Sequence, residues 1–354
     1  MFNAERLALA RMRRRMTGRT LAAASGITAD TLSRLEKGRR QPDDATVEKL
    51  SVALRYPVAF FFGDDPADIN ADGVSFRSFS KMSARERDAA KSAGQLGVQL
   101  AGWVEDKFDL PEPNLPDLSY QDDPERAAVE ARQYWGIGER PVGNMIGLLE
   151  SKGVRVIALS EDTANVNAFS FWRDGKPFVF LNNFKTPESS IFDAAHELGH
   201  LLLHSKGDLR GDRLLEREAD SFASAFLMPW NDVKASVHRP ITSDAIIQAK
   251  AKWRVSAFAL LFRLWRMKLI PTEHQYRSLC IDLSKRGFRS GEPVGIKREV
   301  STVWQQVFSF LWSERLTKDD VARELNIPLD ELEGLVAHMT SNNERPPERK
   351  LSLV

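Results

Sequence analysis

Two histidines four residues apart, His196 and His200, lie in the run HELGHLLLH and constrain the fold more than any other feature. On a helix, residues four apart share a face, so the two imidazoles can grip one ion. Glu197 is one step round, close enough to reach a water beside that ion without ligating it. A catalytic zinc takes three protein ligands and keeps one position open. His204 extends the spacing, but at ~1.5 Å rise per residue it lies about 12 Å along the axis from His196. Zinc–nitrogen bonds are only ~2 Å, so a straight helix cannot deliver all three rings to one ion. His204 therefore reads as a cation near the helix C-terminus, where the dipole favours it. The third ligand must come from another element, and the fold must pack that element against the motif.

The run LLEREADSFASAFLMP, from Leu214 to Pro229, supplies a candidate. It reads as a second helix with Leu215, Ala219, Phe222 and Phe226 as its buried stripe. Glu216 and Asp220 are four apart and share a face, which makes Glu216 the third ligand. Asp220 is one turn on, placed to accept from the outer nitrogen of a liganding histidine and fix its tautomer. Glu218, between them, reads as a solvated charge. Ala219 and Ala223, set against Gly199, allow close helix approach. The expected metal is Zn2+, one per chain. The matching chemistry is peptide hydrolysis, with Glu197 carrying the proton from the attacking water to the leaving amine. Asn231 and His238 are candidate oxyanion donors, against a plainer reading of both as surface residues.

The chain has 354 residues, 42% of them hydrophobic, enough for two or three domains. No apolar run approaches the ~20 residues a bilayer span requires, so no membrane role is expected. The start, MFNAERLALARMRRRM, has its basic cluster after the apolar residues, the wrong order for a secretory signal. Cys280 is the single cysteine, which excludes an internal disulfide and fits a reducing, cytoplasmic setting. The net charge of +1 hides an asymmetry. From Glu5 to Arg40, ten Lys and Arg stand against three acids, a net +7 for that segment. A basic head on a mildly acidic body points to a polyanion-binding module.

That head reads as short helices. Thr17 N-caps one through Leu21 and Ala22, Gly26 breaks it, and Thr28 N-caps the next through Leu32 and Leu35 to Gly38. Leu21-Ala22, Gly26-Ile27, Leu32-Ser33-Arg34-Leu35-Glu36, Gly38 and Pro42 resemble the Xre helix-turn-helix of Cro and phage repressors, over roughly residues 5 to 62. The resemblance implies binding of double-stranded DNA, with the third helix in the major groove. By position it assigns Thr28, Ala29, Asp30 and Thr31 to base edges, with Ser33 and Arg34 nearby. Arg13 to Arg15, Arg19, Lys37 and Arg39 would face phosphates. Gly18 stands where such domains usually have a glutamine that grips the backbone, so that contact is missing.

Between head and motif, residues 83 to about 108 read as a long polar helix. A proline-rich boundary follows from Pro111 to Leu118, then helices at Pro124–Trp135 and Pro141–Ser151. Strands are expected at Val154–Leu159, Asn167–Trp172 and Phe178–Leu181, the last two joined by a hairpin at Asp174-Gly175, with Asn182-Asn183 closing the sheet. The strand Asn167–Trp172 could line up an extended substrate by strand addition, or be an ordinary strand. A helix then runs from about Pro187 to Leu203. Downstream, Ala257 opens an amphipathic core helix, and helical patterns follow at Thr272–Arg286 and Glu299–Leu311. LTKDDVARELNIPLDELEGLV, from Leu316, reads as two helices with a packing or oligomerisation role, its acids making a poor DNA face.

Asn167-Ala168-Phe169, Phe180-Leu181-Asn182, HELGHLLLH, EREADSFASAFLMP and Trp253-Arg254-Val255-Ser256 together resemble the ImmA/IrrE metallopeptidases, over roughly Asp122 to Ile270. The resemblance implies a gluzincin-like zinc endopeptidase that cuts a regulatory protein such as a repressor or antitoxin. That activity would control transcription in stress, prophage or mobile-element regulation. The alternative is a DNA-binding regulator whose peptidase-like domain acts mainly as a sensor or docking module. The expected architecture is multi-domain. An all-α helix-turn-helix domain (1–64) is followed by a helical linker (65–120). An α+β zincin-like peptidase domain with a small sheet (121–275) and a helical C-terminal region (276–354) complete it. A homodimer is left open.

Overall fold

The computed structural model describes residues 1–69, 83–159, 168–182, 184–204 and 212–340, leaving aside the side chain of residue 212. Asn167, Asn183 and the tail from Ser341 lie outside the described residues. The head is helical: α1 (Ala4–Arg13), α2 (Gly18–Ser25), α3 (Ala29–Glu36) and α4 (Asp44–Leu54). Asn3, Thr17, Thr28 and Asp43 each cap one of them by accepting from a backbone N–H in the first turn. Leu7, Leu21, Leu32, Leu35, Leu50 and Leu54 close a core between them, and Phe60 and Phe61 seal one end.

The middle of the chain is layered around a three-stranded sheet in the order β1-β3-β2. β1 (Arg155–Leu159) pairs parallel with β3 (Lys176–Asn182), and β2 (Ala168–Arg173) pairs antiparallel with it. Asp174 and Gly175 turn the hairpin, both with positive φ. One face carries the aromatic pairs Phe169–Phe180 and Phe171–Phe178, stacked with centroids 4.7 and 5.3 Å apart. The long helix Ala84–Lys107 covers this face. A Cβ at Gly97 would meet the Phe180 ring at 2.4 Å, so only glycine lets the helix lie this close. The segment expected as a polar helix thus buries Ala89, Ala93, Leu96, Leu100 and Trp103.

The opposite face receives the motif helix, Pro187–Leu203, through Ser170 and Trp172 of β2. The ligand helix, Asp212–Leu227, packs on its far side. In the motif helix's first turn, Glu188 is fully buried and pairs with Lys250 at 3.0 Å. That anchors the helix start to the helix Ser243–Trp253. No helix among the described residues is long and apolar enough to cross a membrane.

Two interlocking contacts attach the C-terminal region. Glu299 caps the helix Met145–Ser151 by accepting from Met145 and Ile146 N–H, at 2.7 and 3.2 Å. Glu150, from that helix, caps Thr302–Ser313 by accepting from Thr302 and Val303 N–H, at 2.8 and 3.2 Å. Each carboxylate serves the positive end of the other helix. The last pair of helices, Lys318–Glu324 and Leu329–Leu335, reaches back to the head. Glu331 accepts from Arg13 at 2.8 Å and from the Tyr56 hydroxyl at 2.9 Å, and Arg14 pairs with Asp330 at 2.6 Å.

This corrects the expectation that Arg13 and Arg14 face phosphates. The Arg13 side chain is only 6% exposed and is committed to an internal carboxylate. Arg6 and Arg11 are likewise held inside the head, by the Asp64 carbonyl and by Glu36. Burial and the neighbouring Glu331 raise the Tyr56 phenol well above its ordinary value, so it stays a neutral donor. Removing one partner of a buried, hydrogen-bonded pair costs about 3–5 kcal/mol. Glu331→Ala should lower stability in denaturant melts by that order and make the junction near residue 64 sensitive to limited proteolysis. Tyr56→Phe should cost only about 1 kcal/mol.

Candidate metal centre

The motif helix starts where Thr186 accepts from Ser189 N–H, and Pro187 occupies the first helical position, where a missing N–H costs nothing. It is apolar on nearly all sides because the sheet covers one flank and the ligand helix the other. Gly199 sets the distance to the ligand helix: a Cβ there would lie 3.2 Å from Ala219 Cα and 3.1 Å from the Phe222 ring. Ala219 is the small residue at this contact, with Phe222 beside it.

Across that contact three donors converge. The Nε2 atoms of His196 and His200 are 3.0 Å apart. Glu216 Oε2 lies 3.7 Å from the first, and Glu216 Oε1 lies 3.5 Å from the second. Tetrahedral zinc with ~2.0–2.1 Å bonds places its ligand atoms about 3.3 Å apart, so two imidazoles and one carboxylate at these separations fit it. They are the one such trio among the described residues.

Both rings present Nε2 to the centre, so both need a partner at Nδ1. His196 Nδ1 lies 2.9 Å from Asp220 Oδ1. His200 Nδ1 lies 2.8 Å from His204 Nδ1, and His204 Nε2 lies 3.1 Å from Glu218 Oε2. This corrects one expectation: Glu218 is not a solvated charge; its side chain is 14% exposed and meets His204. His204 lies at the C-terminal end of the motif helix, as expected, with its side chain 7% exposed and set between His200 and Glu218. It is absent from the donor trio.

Glu197 is buried, and its Oε2 accepts from the Ser170 hydroxyl at 2.7 Å. Ser170 was not singled out in the sequence. The available signal was a hydroxyl at the strand's alternate position in AFSFW, on the face shared with Ala168 and Trp172. Asn231 is exposed and donates to Glu139, and His238 is exposed; neither is tied to the cluster. Next to Asp220, a cleft of about 320 Å³ opens between the motif helix, the ligand helix and the helix Ala257–Arg266, lined by Phe192, Asp193, Ser224 and Phe262 among others.

The electrostatics separate the groups. Burial pushes Glu197 up to about 7, against the pull of His196 and Ser170. Burial, with the neighbouring rings, holds His200 down to about 4, against Glu216. Burial would lower His196 too, but the Asp220 hydrogen bond and the charges of Glu197, Asp220 and Glu216 outweigh it and raise it to about 9. A ligand must be deprotonated to bind, so metal uptake at pH 7 displaces a proton from His196. Apparent metal affinity should therefore climb about tenfold per pH unit from 7 to 9 and flatten above. Chelator competition at each pH, corrected for the chelator's own titration, measures it; a flat profile would contradict the assignment.

In the head, Thr28, Ala29, Asp30, Arg34, Arg19, Lys37 and Arg39 are exposed, and Thr31 and Ser33 are partly so. Thr28 spends its hydroxyl capping α3, and Asp30 pairs with Arg34 at 3.0 Å, both well exposed.

Two family models match the chain, and no curated protein does. Residues 7–61 match a helix-turn-helix family. Residues 149–265 match a peptidase family described as the IrrE N-terminal-like domain, a span that holds Ser170, the motif helix and Glu216. The chain is thus a fusion of a helix-turn-helix domain with an IrrE-like metallopeptidase domain.

Proposed function

We propose that this protein is a zinc-dependent endopeptidase carried by a DNA-binding regulator, and that it cuts a regulatory protein of the repressor or antitoxin kind. One observation carries the reading. His196, His200 and Glu216 converge beside a buried carboxylate, Glu197, that is held by Ser170 and takes no part in the donor trio. A site needed only for structure has no use for that fourth group. Zinc, when bound, supplies a Lewis acid for the scissile carbonyl. Glu197 acts as general base for the attacking water and then protonates the leaving amine; its raised value, about 7, suits both directions of transfer. Ser170 keeps the carboxylate turned toward the sheet. β2 is an edge strand of the described sheet, so an extended segment of substrate can pair along it.

The head binds double-stranded DNA through the exposed start of α3, with Thr28, Ala29, Asp30 and Thr31 nearest the bases and Ser33 and Arg34 beside them. Arg19, Lys37 and Arg39 contact phosphates. Arg34 reaches DNA by leaving Asp30, at a small cost for so exposed a pair.

Glu197→Gln should retain about one zinc per chain and the fold, while cleavage of a substrate found among neighbouring gene products falls by at least ~100-fold. His200→Ala should lose the metal. If regulation of a reporter survives Glu197→Gln unchanged but is destroyed by Thr31→Ala or Arg34→Ala, the sensor reading replaces the peptidase one.

A further inference from the structure

We propose that His204 and Glu218 are positioning residues for the metal site, forming a two-step relay that fixes the ring of His200. The proposal rests on the metal reading of His196, His200 and Glu216. An imidazole that offers Nε2 to a metal carries its remaining proton on Nδ1 and needs an acceptor there. His196 has one directly, the carboxylate of Asp220. At His200 the atom 2.8 Å from Nδ1 is another imidazole nitrogen, His204 Nδ1. That nitrogen accepts only if the His204 proton sits on Nε2. The atom 3.1 Å from Nε2 is the Glu218 carboxylate oxygen, which can only accept. Glu218 thereby selects the His204 tautomer, and His204 selects that of His200. The hydrogen bonds run one way, from the metal ligand out to the carboxylate.

The backbone explains why His204 can do this. It is the C-cap of the motif helix, in extended conformation at φ −110° and ψ 98°, while its N–H still reaches the His200 carbonyl at 3.2 Å. Leaving the helix lets the ring swing back beside His200, with centroids 4.9 Å apart. The fourth-residue spacing that cannot bring His204 to the metal brings it to the back of the ring that does bind. All three side chains are largely buried, at 8, 7 and 14% exposure for His200, His204 and Glu218. In so low a dielectric each bond counts for more than in water. The ligand helix therefore serves the centre three times at successive second residues: Glu216 to the ion, Glu218 to His200 through His204, and Asp220 to His196.

The test uses the full-length protein. Zinc affinity is measured by competition with a chromophoric chelator, and the His204 tautomer in the zinc-loaded protein is read from its imidazole nitrogen shifts by NMR. His204→Phe should weaken zinc binding about 10- to 100-fold while the metal-free protein unfolds at the wild-type midpoint. Glu218→Gln should weaken it by about tenfold and needs no ring to be replaced, so it decides the matter if His204→Phe does not fold. The wild-type spectrum should show the Nε2–H form of His204. Unchanged affinity in the folded variants, or the Nδ1–H form in the wild type, overturns the relay. If the wild type binds no zinc, or His200→Ala binds it as tightly, the metal reading falls and takes the relay with it. If His200→Ala loses zinc and the relay variants keep it, only the relay fails.

Discussion

The close approach of Gly199 to Ala219 governs what the rest of the peptidase domain can do. The motif helix brings two imidazoles but has no room for a third on the same ion. The missing carboxylate must reach across from another helix, and a long Glu side chain spans only a short gap. Small residues at that crossing bring the helices within reach, and Phe222 fills the space beside them. The sheet backs the motif helix on its other side and delivers Ser170 to Glu197. The long helix, seated at Gly97, backs the sheet in turn. Each layer presses the next toward the point where Glu216 meets the rings.

Much of this was legible in the residues, for reasons of period. Positions four apart must share a helix face, so the pairing of His196 with His200 and of Glu216 with Asp220 needed no tertiary information. The hairpin at Asp174-Gly175 and the capping threonines at positions 17 and 28 follow from local chemistry in the same way. What escaped depends on contacts between distant residues. Nothing near Ser170 announces Glu197. Helix spacing rightly kept His204 off the metal, but its contacts with His200 and Glu218 involve a second helix and no local pattern announces them. Glu218 was misread for the same reason: a partner, His204, stands on a different helix.

The basic head shows a different failure of local reading. Ten positive residues looked like a surface for phosphates, yet Arg6, Arg11, Arg13 and Arg14 are consumed by carbonyls and carboxylates of the protein itself. Composition counts charges without saying which way they face. The exposed remainder, Arg15, Arg19, Arg34, Lys37, Arg39 and Arg40, lies in or next to α2 and α3 along the chain, so fewer cations face solvent than the net charge of the segment suggests.

The bond between Arg13 and Glu331 joins residues 318 positions apart. That separation orders events during synthesis. The head's core closes from contacts within its own sixty or so residues and can form as soon as they leave the ribosome. Its anchor is made much later, when the helix Leu329–Leu335 emerges. Until then the head is a finished domain with an uncompensated buried-type arginine at its rim, free of the body it will later be fixed to. A chain that lacks the helix Leu329–Leu335 and one that has docked it therefore present the same helix-turn-helix on different mountings.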